Sequence, residues 1–242
     1  VVGMSPVQIA ILAAGLGTRL GLPSPKALTP LVDGRSILQQ QLDNLYAAFS
    51  REARITVVVG FRPEEIMAAF PEVLFAYNDR YDRTNTARSL LRGLRTSGPG
   101  GMLWLNGDVV FDPRLLERVR PMIEADRTMV CVNTAPVGEE EVKYLLDAEG
   151  CVTELSKQVT GGLGEAIGIN YVASADKATL IEHLERCTDQ DYFERGIESA
   201  IEAGALRARA VDISEYFVVE VDFAGDLERA NAEVSRTVTP AA

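Results

Sequence analysis

Short apolar runs alternate with segments of helical periodicity through the first half of this chain. Val7–Leu12 (VQIAIL), Ile55–Val59 (ITVVV), Val73–Tyr77 and Met102–Leu105 read as buried strands. Between them, Ser36–Phe49 places Ile37, Leu38, Leu42, Leu45, Ala48 and Phe49 near a 3.6-residue period, and Ser36 can cap the helix start. Pro63 opens a second helix, running to about Phe70. Thr84–Leu94 reads as a third, with Ala87, Leu90, Leu91 and Leu94 on one side, and Asp112-Pro113 begins another in cap-then-proline order. This alternation predicts an α/β fold: a Rossmann-like, doubly wound mixed sheet, mostly parallel. Ligands of such sheets sit beyond the carboxyl ends of the strands, so the loops after Leu12 and Leu105 are expected on one edge.

The second half has a different rhythm. Tyr144–Leu146 and Cys151–Leu155 flank Asp147-Ala148-Glu149-Gly150, which predicts a hairpin and a small β-rich insertion. A Gly161-Gly162-Leu163-Gly164 loop precedes the apolar run Ala166–Val172. Helices are expected near Ala175–Arg186 and Tyr192–Ala203, strands near Leu206–Val211 and Phe217–Val221, and a last helix from about Ala224. No repeat and no long linker divides the chain, so 1–242 reads as a single domain.

Charge narrows the ligand class. With 35 acids against 24 bases the net charge is −11, which argues against a nucleic-acid surface. A phosphate ligand would have to be held by a few placed cations, backbone N–H groups and a metal. The three cysteines, Cys131, Cys151 and Cys187, are odd in number and form no CxxC, so buried free thiols are expected, not a disulfide framework or a zinc site. No apolar run reaches the length of a membrane span and no signal peptide is visible. A cytoplasmic location is expected, with no membrane or nucleic-acid partner; a homo-oligomer is left open.

The loop after the first strand reads Leu12-Ala13-Ala14-Gly15-Leu16-Gly17-Thr18-Arg19-Leu20, with Pro25-Lys26 beyond. Glycines let a backbone approach a phosphate, and Arg19 and Lys26 supply cations. The P-loop pattern is absent, and Leu20 stands where a dinucleotide fingerprint needs its third glycine. Pro23 and Pro25 forbid the immediate helix that either would require. A plain glycine turn leaves Thr18-Arg19 and Pro25-Lys26 without a role. The stretch resembles the signature loop of the sugar-phosphate nucleotidyltransferase superfamily. That resemblance implies that Leu12, Ala13, Ala14, Gly15, Gly17 and Thr18 wrap the nucleotide, with Arg19 and Lys26 on its phosphates as catalytic cations. It also implies a nucleotide-binding half over about 4–130 and an acceptor-binding half over about 131–242.

Asn106-Gly107-Asp108 follows a buried strand, where an aspartate can simply cap a loop. The resemblance implies instead that Asp108 is catalytic and binds Mg²⁺. Glu220 and Asp222 are expected on one side of a late strand. Asp222 is then a second metal ligand, and Glu220 either a third or a solvated edge acid. The lone histidine, His183, lies between acids and reads as a solvated surface residue. Without histidine or paired cysteines, hard oxygen ligands remain, which suit Mg²⁺ as the cofactor.

Tyr77-Asn78-Asp79-Arg80-Tyr81, Thr84-Asn85 and Ser89 resemble phosphocholine cytidylyltransferases and their relatives that activate small phosphonates with CTP. Asn78, Asn85 and Ser89 could read a base edge, or serve turn and helix-cap chemistry. Glu141-Val142-Lys143, Ser156-Lys157 and Gly164-Glu165-Ala166-Ile167-Gly168 extend the match. Lys143 and Lys157, read as strand residues, would face the acceptor's phosphate or be solvated lysines; Glu165 and Tyr192 would also bind acceptor. Tyr144, Tyr171, Tyr192 and Phe193, with Asp189, Asp191 and Glu194, could surround an ammonium group or be core. Ser156-Lys157-Gln158 replaces the Glu-Lys-Pro of longer hexose-1-phosphate enzymes. The resemblance thus implies a Mg²⁺-dependent enzyme moving CMP from CTP to a small phosphate- or phosphonate-bearing acceptor, with loss of pyrophosphate. Transfer to a hexose 1-phosphate from UTP, GTP or dTTP is the alternative within the class. A nucleotide-sensing subunit without turnover is the alternative outside it, and the joint presence of Arg19, Lys26, Asp108 and Asp222 argues against it.

Overall fold

The computed structural model describes residues 6–139 and 141–238. In chain order the strands and helices begin with β1 (Gln8–Ala13), α1 (Ile37–Phe49), β2 (Arg54–Val59), α2 (Pro63–Ala69), β3 (Leu74–Tyr77) and α3 (Thr86–Thr96). Next come β4 (Met102–Asn106), β5 (Val109–Phe111), α4 (Arg114–Glu124) and β6 (Met129–Val132). The hairpin β7 (Lys143–Leu146) and β8 (Val152–Ser156) precedes β9 (Ala166–Val172), α5 (Lys177–Arg186) and α6 (Phe193–Glu202). The chain ends with β10 (Arg209–Asp212), β11 (Val218–Glu220) and α7 (Ala224–Val238).

Seven strands form one sheet in the order β10-β6-β9-β4-β1-β2-β3. β3, β2, β1 and β4 are mutually parallel, β6 and β10 are parallel to each other, and β9 runs antiparallel to both its neighbours. The mixed, mostly parallel sheet expected from the sequence is therefore present. Every residue of β1 is buried because both faces are covered: Ile9 and Ile11 join one hydrophobic cluster, Ala10 and Leu12 the other. Ser36 Oγ accepts from the Gln39 N–H, as the helix-cap reading of α1 requires.

The chain from β5 onward departs further from the sequence reading. β5 and β6 escaped the sequence reading, being runs of three and four residues without a complete alternation to detect. The strand expected from Leu206 begins only at Arg209. The one expected over Phe217–Val221 contracts to β11, which leaves the main sheet and pairs antiparallel with β5. His183 is not solvated. It is 7% exposed on the buried Leu180–His183–Leu184 stripe of α5, with Nδ1 2.9 Å from Ser199 Oγ of α6. Burial holds its pKa below the ordinary value, and Arg186 adds to that. All three cysteines are free and buried, and burial pushes the Cys131 thiol up to about 12. Among the described residues no helix is long and apolar enough to cross a membrane.

Candidate active site

β1 delivers the glycine-rich loop to the carboxyl edge of the parallel strands. Gly17 has φ +62°, and a Cβ there would stand 3.0 Å from Lys26 Cβ. Only glycine lets the loop fold back this closely over the short turn Lys26–Leu28. The Thr18 side chain lies outside the described atoms. Arg19, in the turn Thr18–Leu20, is 55% exposed and reaches Asp222 Oδ2 at 3.3 Å.

A backbone ladder gathers the acids. The Gly107 N–H donates to Leu12 O at 2.9 Å, pinning the loop after β4 beside the glycine-rich loop. Asp108 then leads into β5, whose partner β11 returns with Glu220 opposite Val109. The Val221 N–H donates to Asp108 O at 3.0 Å, which carries Asp222 to the same place. Lys26 Nζ sits between the two carboxylates, 2.8 Å from Asp108 Oδ2 and 2.5 Å from Asp222 Oδ1. Burial pulls the lysine pKa down, but the ion pairs with Asp108 and Asp222 more than offset it, so the ammonium is held above its ordinary range. Asp108 Oδ1 is buried without a hydrogen-bond partner.

Of the expected trio, Asp108 and Asp222 meet on Lys26, while Glu220 lies near enough to Asp108 to feel its charge but turns to Asn106. Among the described residues no three His, Cys, Asp or Glu side chains are gathered as a metal cluster. The parity argument fails because β11 stops at Glu220, so Asp222 lies past the strand, where its N–H donates to Asp226 Oδ2. Glu220 is not a solvated edge acid either. Its Oε1 accepts from Asn106 Nδ2 at 3.2 Å, and burial, then the charge of Asp108, push its carboxyl up to about 8. Two carboxylates with one orphaned oxygen nonetheless suit Mg²⁺, which takes one or two carboxylates and completes its shell with water and substrate phosphates.

Leu12, Ala14, Gly15, Asn78, Asn85 and Ser89 do come together, around a notch of about 70 Å³. Their amides are turned toward protein. Asn78 Nδ2 donates to Thr84 Oγ1 and Ser89 Oγ at 3.1 and 3.2 Å, and Asn85 Oδ1 accepts from the Thr86 N–H as the cap of α3. The Asn85 amide nitrogen also donates to Gln190 O at 3.4 Å, so both side chains are bonded within the protein through turn, cap and longer-range partners.

On the far side, Lys143 lies in β7 and donates to Lys157 O at 2.8 Å. Lys157 is not a strand residue: it follows the end of β8, with its ammonium 4.8 Å from the Tyr192 ring centre. Glu165 Oε2 accepts from Asn133 Nδ2 at 3.2 Å, and burial raises its pKa. Tyr144 and Phe193 are core, and Tyr171 bonds Asp126. Asp189 pairs with Arg80 and Arg88, and Asp191 accepts from the Thr188 N–H. Glu194 differs: Oε2 is buried and unpartnered, and burial pushes the carboxyl up to about 7. Asn106 and Asn170 were given no role in the sequence. The signal was a polar residue within an apolar strand run. A separate cavity of about 530 Å³ opens at the opposite end of the sheet, beside Gln8, Phe49 and Arg120, and of these residues only Tyr171 lines it.

Comparison with known proteins agrees with this geometry. Residues 9–191 match the MobA-like NTP transferase domain, and the chain belongs to that family. It is 30% identical over 95% of its length to a CMP-5'-(3-aminopropyl)phosphonate synthase of Streptomyces rubellomurinus, covering 39% of that protein. It is also 30% identical over 82% of its length to the bifunctional protein GlmU of Burkholderia mallei, covering 45% of it. The chain thus spans less than half the length of these curated relatives. Its fold is shared with the inositol-1-phosphate CTP transferase of T. maritima, at a TM-score of 0.76 and 16% identity, covering 98% of this chain and 99% of that one. A CTP:phosphocholine cytidylyltransferase of Streptococcus pneumoniae superposes with a TM-score of 0.74 at 17% identity, covering 95% and 99%.

Proposed function

We propose that this chain transfers CMP from CTP to a small phosphate- or phosphonate-bearing acceptor. The observation that carries the reading is the seating of Lys26 between Asp108 and Asp222 under the glycine-rich loop. Three segments far apart in sequence meet there, at the edge where a parallel sheet binds ligands. The family supports nucleotidyl transfer, and the Streptomyces relative's name supports CMP as the group moved.

In this reading the loop from Leu12 to Thr18 wraps the nucleotide, with the base at the notch beside Asn78, Asn85 and Ser89. The asparagines shape that notch, their amides being bound to protein. Lys26, held protonated, and the exposed Arg19 steady the triphosphate as charge builds on departing pyrophosphate. Lys143, Lys157, Glu165 and Tyr192 line the acceptor side. The acceptor's ionised oxygen needs no general base, so the chain's work is alignment and charge neutralisation. Asp108 and Asp222 would hold Mg²⁺, which supplies charge neutralisation at the reacting phosphate when bound.

Pyrophosphate release, measured for four nucleoside triphosphates against phosphate, phosphonate and hexose 1-phosphate acceptors, tests this. Release is expected only with Mg²⁺, CTP and a small non-sugar acceptor. Release with hexose 1-phosphate and UTP, GTP or dTTP replaces the acceptor class; none with any pair overturns the reading.

A further inference from the structure

The short link 187–192 between α5 and α6 crosses to the first half of the chain and lies on the start of α3. Asp189 O accepts from the Asn85 N–H at 2.8 Å, and Asp191 O from the Ala87 N–H at 3.3 Å. In return the Phe193 N–H donates to Thr86 Oγ1 at 3.0 Å. Gln190 Nε2 donates to Arg83 O at 2.9 Å. Side chains clamp the beginning of the link. Arg88 donates to Cys187 O at 2.6 Å and to Asp189 Oδ1 at 3.3 Å, and Arg80 donates to Asp189 Oδ2 at 2.5 Å. The Asp189 carboxylate thus joins one arginine from the turn before α3 to another on α3 itself.

A helix start leaves its first N–H groups without partners inside the helix. In α3 the first is met by Asn85 Oδ1 and the next by the carbonyl of Asp191, so the second half of the chain completes this turn. Asn85 and Thr86 line the notch given to the base, and no residue of the link does. Tyr192 is bracketed by the same turn. The residue before it accepts from Ala87, and the residue after it donates to Thr86. Its ring lies 4.8 Å from the Lys157 ammonium. Ala87 and Phe193 are both buried, so a backbone N–H released there finds no water. A shift of Thr86 toward a ligand must therefore orphan these groups or carry Tyr192 with it.

We propose that this link couples the nucleotide to the acceptor, and that Asp189 is the positioning residue holding it in register against α3. The proposal rests on the cytidylyl-transfer reading above, which puts the base at the notch and the acceptor beside Lys157 and Tyr192. A nucleotide that orders Asn85 and Thr86 then sets Tyr192, and the lysine at its ring, before the acceptor arrives. Coupling between two binding sites is reciprocal, so the acceptor tightens the nucleotide by the same factor. Asp189 does not line the notch and acts through Asn85 and Tyr192. Asp189→Asn keeps its shape and removes the charge that both arginines meet. The link is then held by its backbone bonds and follows α3 less tightly.

The test measures hydrogen exchange over 187–193 by mass spectrometry, with and without a non-hydrolysable CTP analogue and Mg²⁺, and with no acceptor present. Calorimetry in the same buffer reports whether the analogue binds. Bound analogue should slow exchange of this segment by about threefold or more, the lower end of ordinary coupling. Asp189→Asn should bind the analogue within about threefold of wild type and lose most of that slowing. A merely structural role would raise exchange equally in both states and leave the ratio unchanged. Arg88→Met, which cuts the other side of the clamp, should repeat the pattern. In turnover, Asp189→Asn should raise KM about fivefold for whichever acceptor of the panel above reacts fastest, with kcat within about twofold. Bound analogue without slowing over 187–193, a ratio unchanged in both variants, or an unchanged acceptor KM overturns the proposal and leaves cytidylyl transfer standing. No binding of the analogue, or no pyrophosphate from any acceptor, overturns both.

Discussion

Replacing Lys26 by methionine keeps the aliphatic stem and removes the ammonium, which separates the two jobs assigned to this residue. In the structure that ammonium makes two charge-assisted hydrogen bonds, to Asp108 and Asp222. Each bond of this kind contributes about 1.5–3 kcal/mol to stability. The loss is softened because the Asp222 side chain is 30% exposed and Arg19 stands 3.3 Å from it. We therefore expect Lys26→Met to cost about 2–3 kcal/mol of folding stability, lowering Tm by about 5–10 °C in a chain of this length. The linkage has a definite sign. The lysine pKa in the folded chain lies above its ordinary 10.5, so the contribution is complete below that pH and is lost as pH rises through the folded value. The stability gap between wild type and variant should stay constant from neutral pH to about 10 and close in stronger alkali. For turnover, removing a cation that meets developing charge costs about 2–4 kcal/mol, or roughly 30- to 1000-fold in kcat/KM. The assay is pyrophosphate release at saturating Mg²⁺ beside thermal melts of both proteins. If Tm falls as expected while kcat/KM stays within about fivefold, Lys26 is a strut between two loops, and the chemical role given to it here is wrong.

Asn78→Ala removes an amide that bonds Thr84 and Ser89 from a site 2% exposed, and should cost about 1–3 kcal/mol of stability. Its CTP-to-UTP preference should stay within about twofold of wild type; collapse of that preference would return Asn78 to base reading. Gly17→Ala places a side chain at φ +62° against Lys26 and should cost about 1–2 kcal/mol from backbone strain, with KM for CTP raised; an unchanged KM would show that the loop does not grip the nucleotide. His183 has a depressed pKa, so the unfolded chain takes up its proton first as pH falls below 6.5. Wild type should lose stability from pH 6.5 toward the lower folded pKa more steeply than His183→Gln; equal urea-midpoint shifts between pH 7 and 5.5 would refute this.

What the sequence made legible follows from range. β1, α1 and the glycine-rich loop are set by neighbours within a few residues, and their caps and periodicities could be read directly. Asp108 and Asp222 were assigned together through resemblance, because their meeting depends on β5 and β11 pairing across more than a hundred residues. No local pattern announces a ribbon made of two three-residue strands. The same gap misled the parity argument for Glu220, which assumed a strand continuing through Asp222. Lys157 lies one residue past the end of β8, enough to take it off the sheet face and over the ring of Tyr192. For His183 the flanking acids looked like a solvated face, yet they project outward while the ring fills the seam between α5 and α6. Hydrophobicity and charge alone do not say which side of a mixed stripe faces inward.

The reversed strand β9 explains why the two halves of the chain need each other. A fully parallel sheet would bring each new strand up from below and deliver its last residues to the active edge. β9 instead enters at that edge with Ala166 and descends, so Gly168 and Asn170 are met from the top down. Its glycine makes space for Asn106 and Glu220, and its asparagine waits one layer beneath. The hairpin of β7 and β8 is tied to the start of this strand, through the bridge between Lys143 and Glu165. Elements contributed by the second half therefore pack against the end of β4 directly behind the nucleotide loop of the first, with Gly168 seating Asn106 and Glu220.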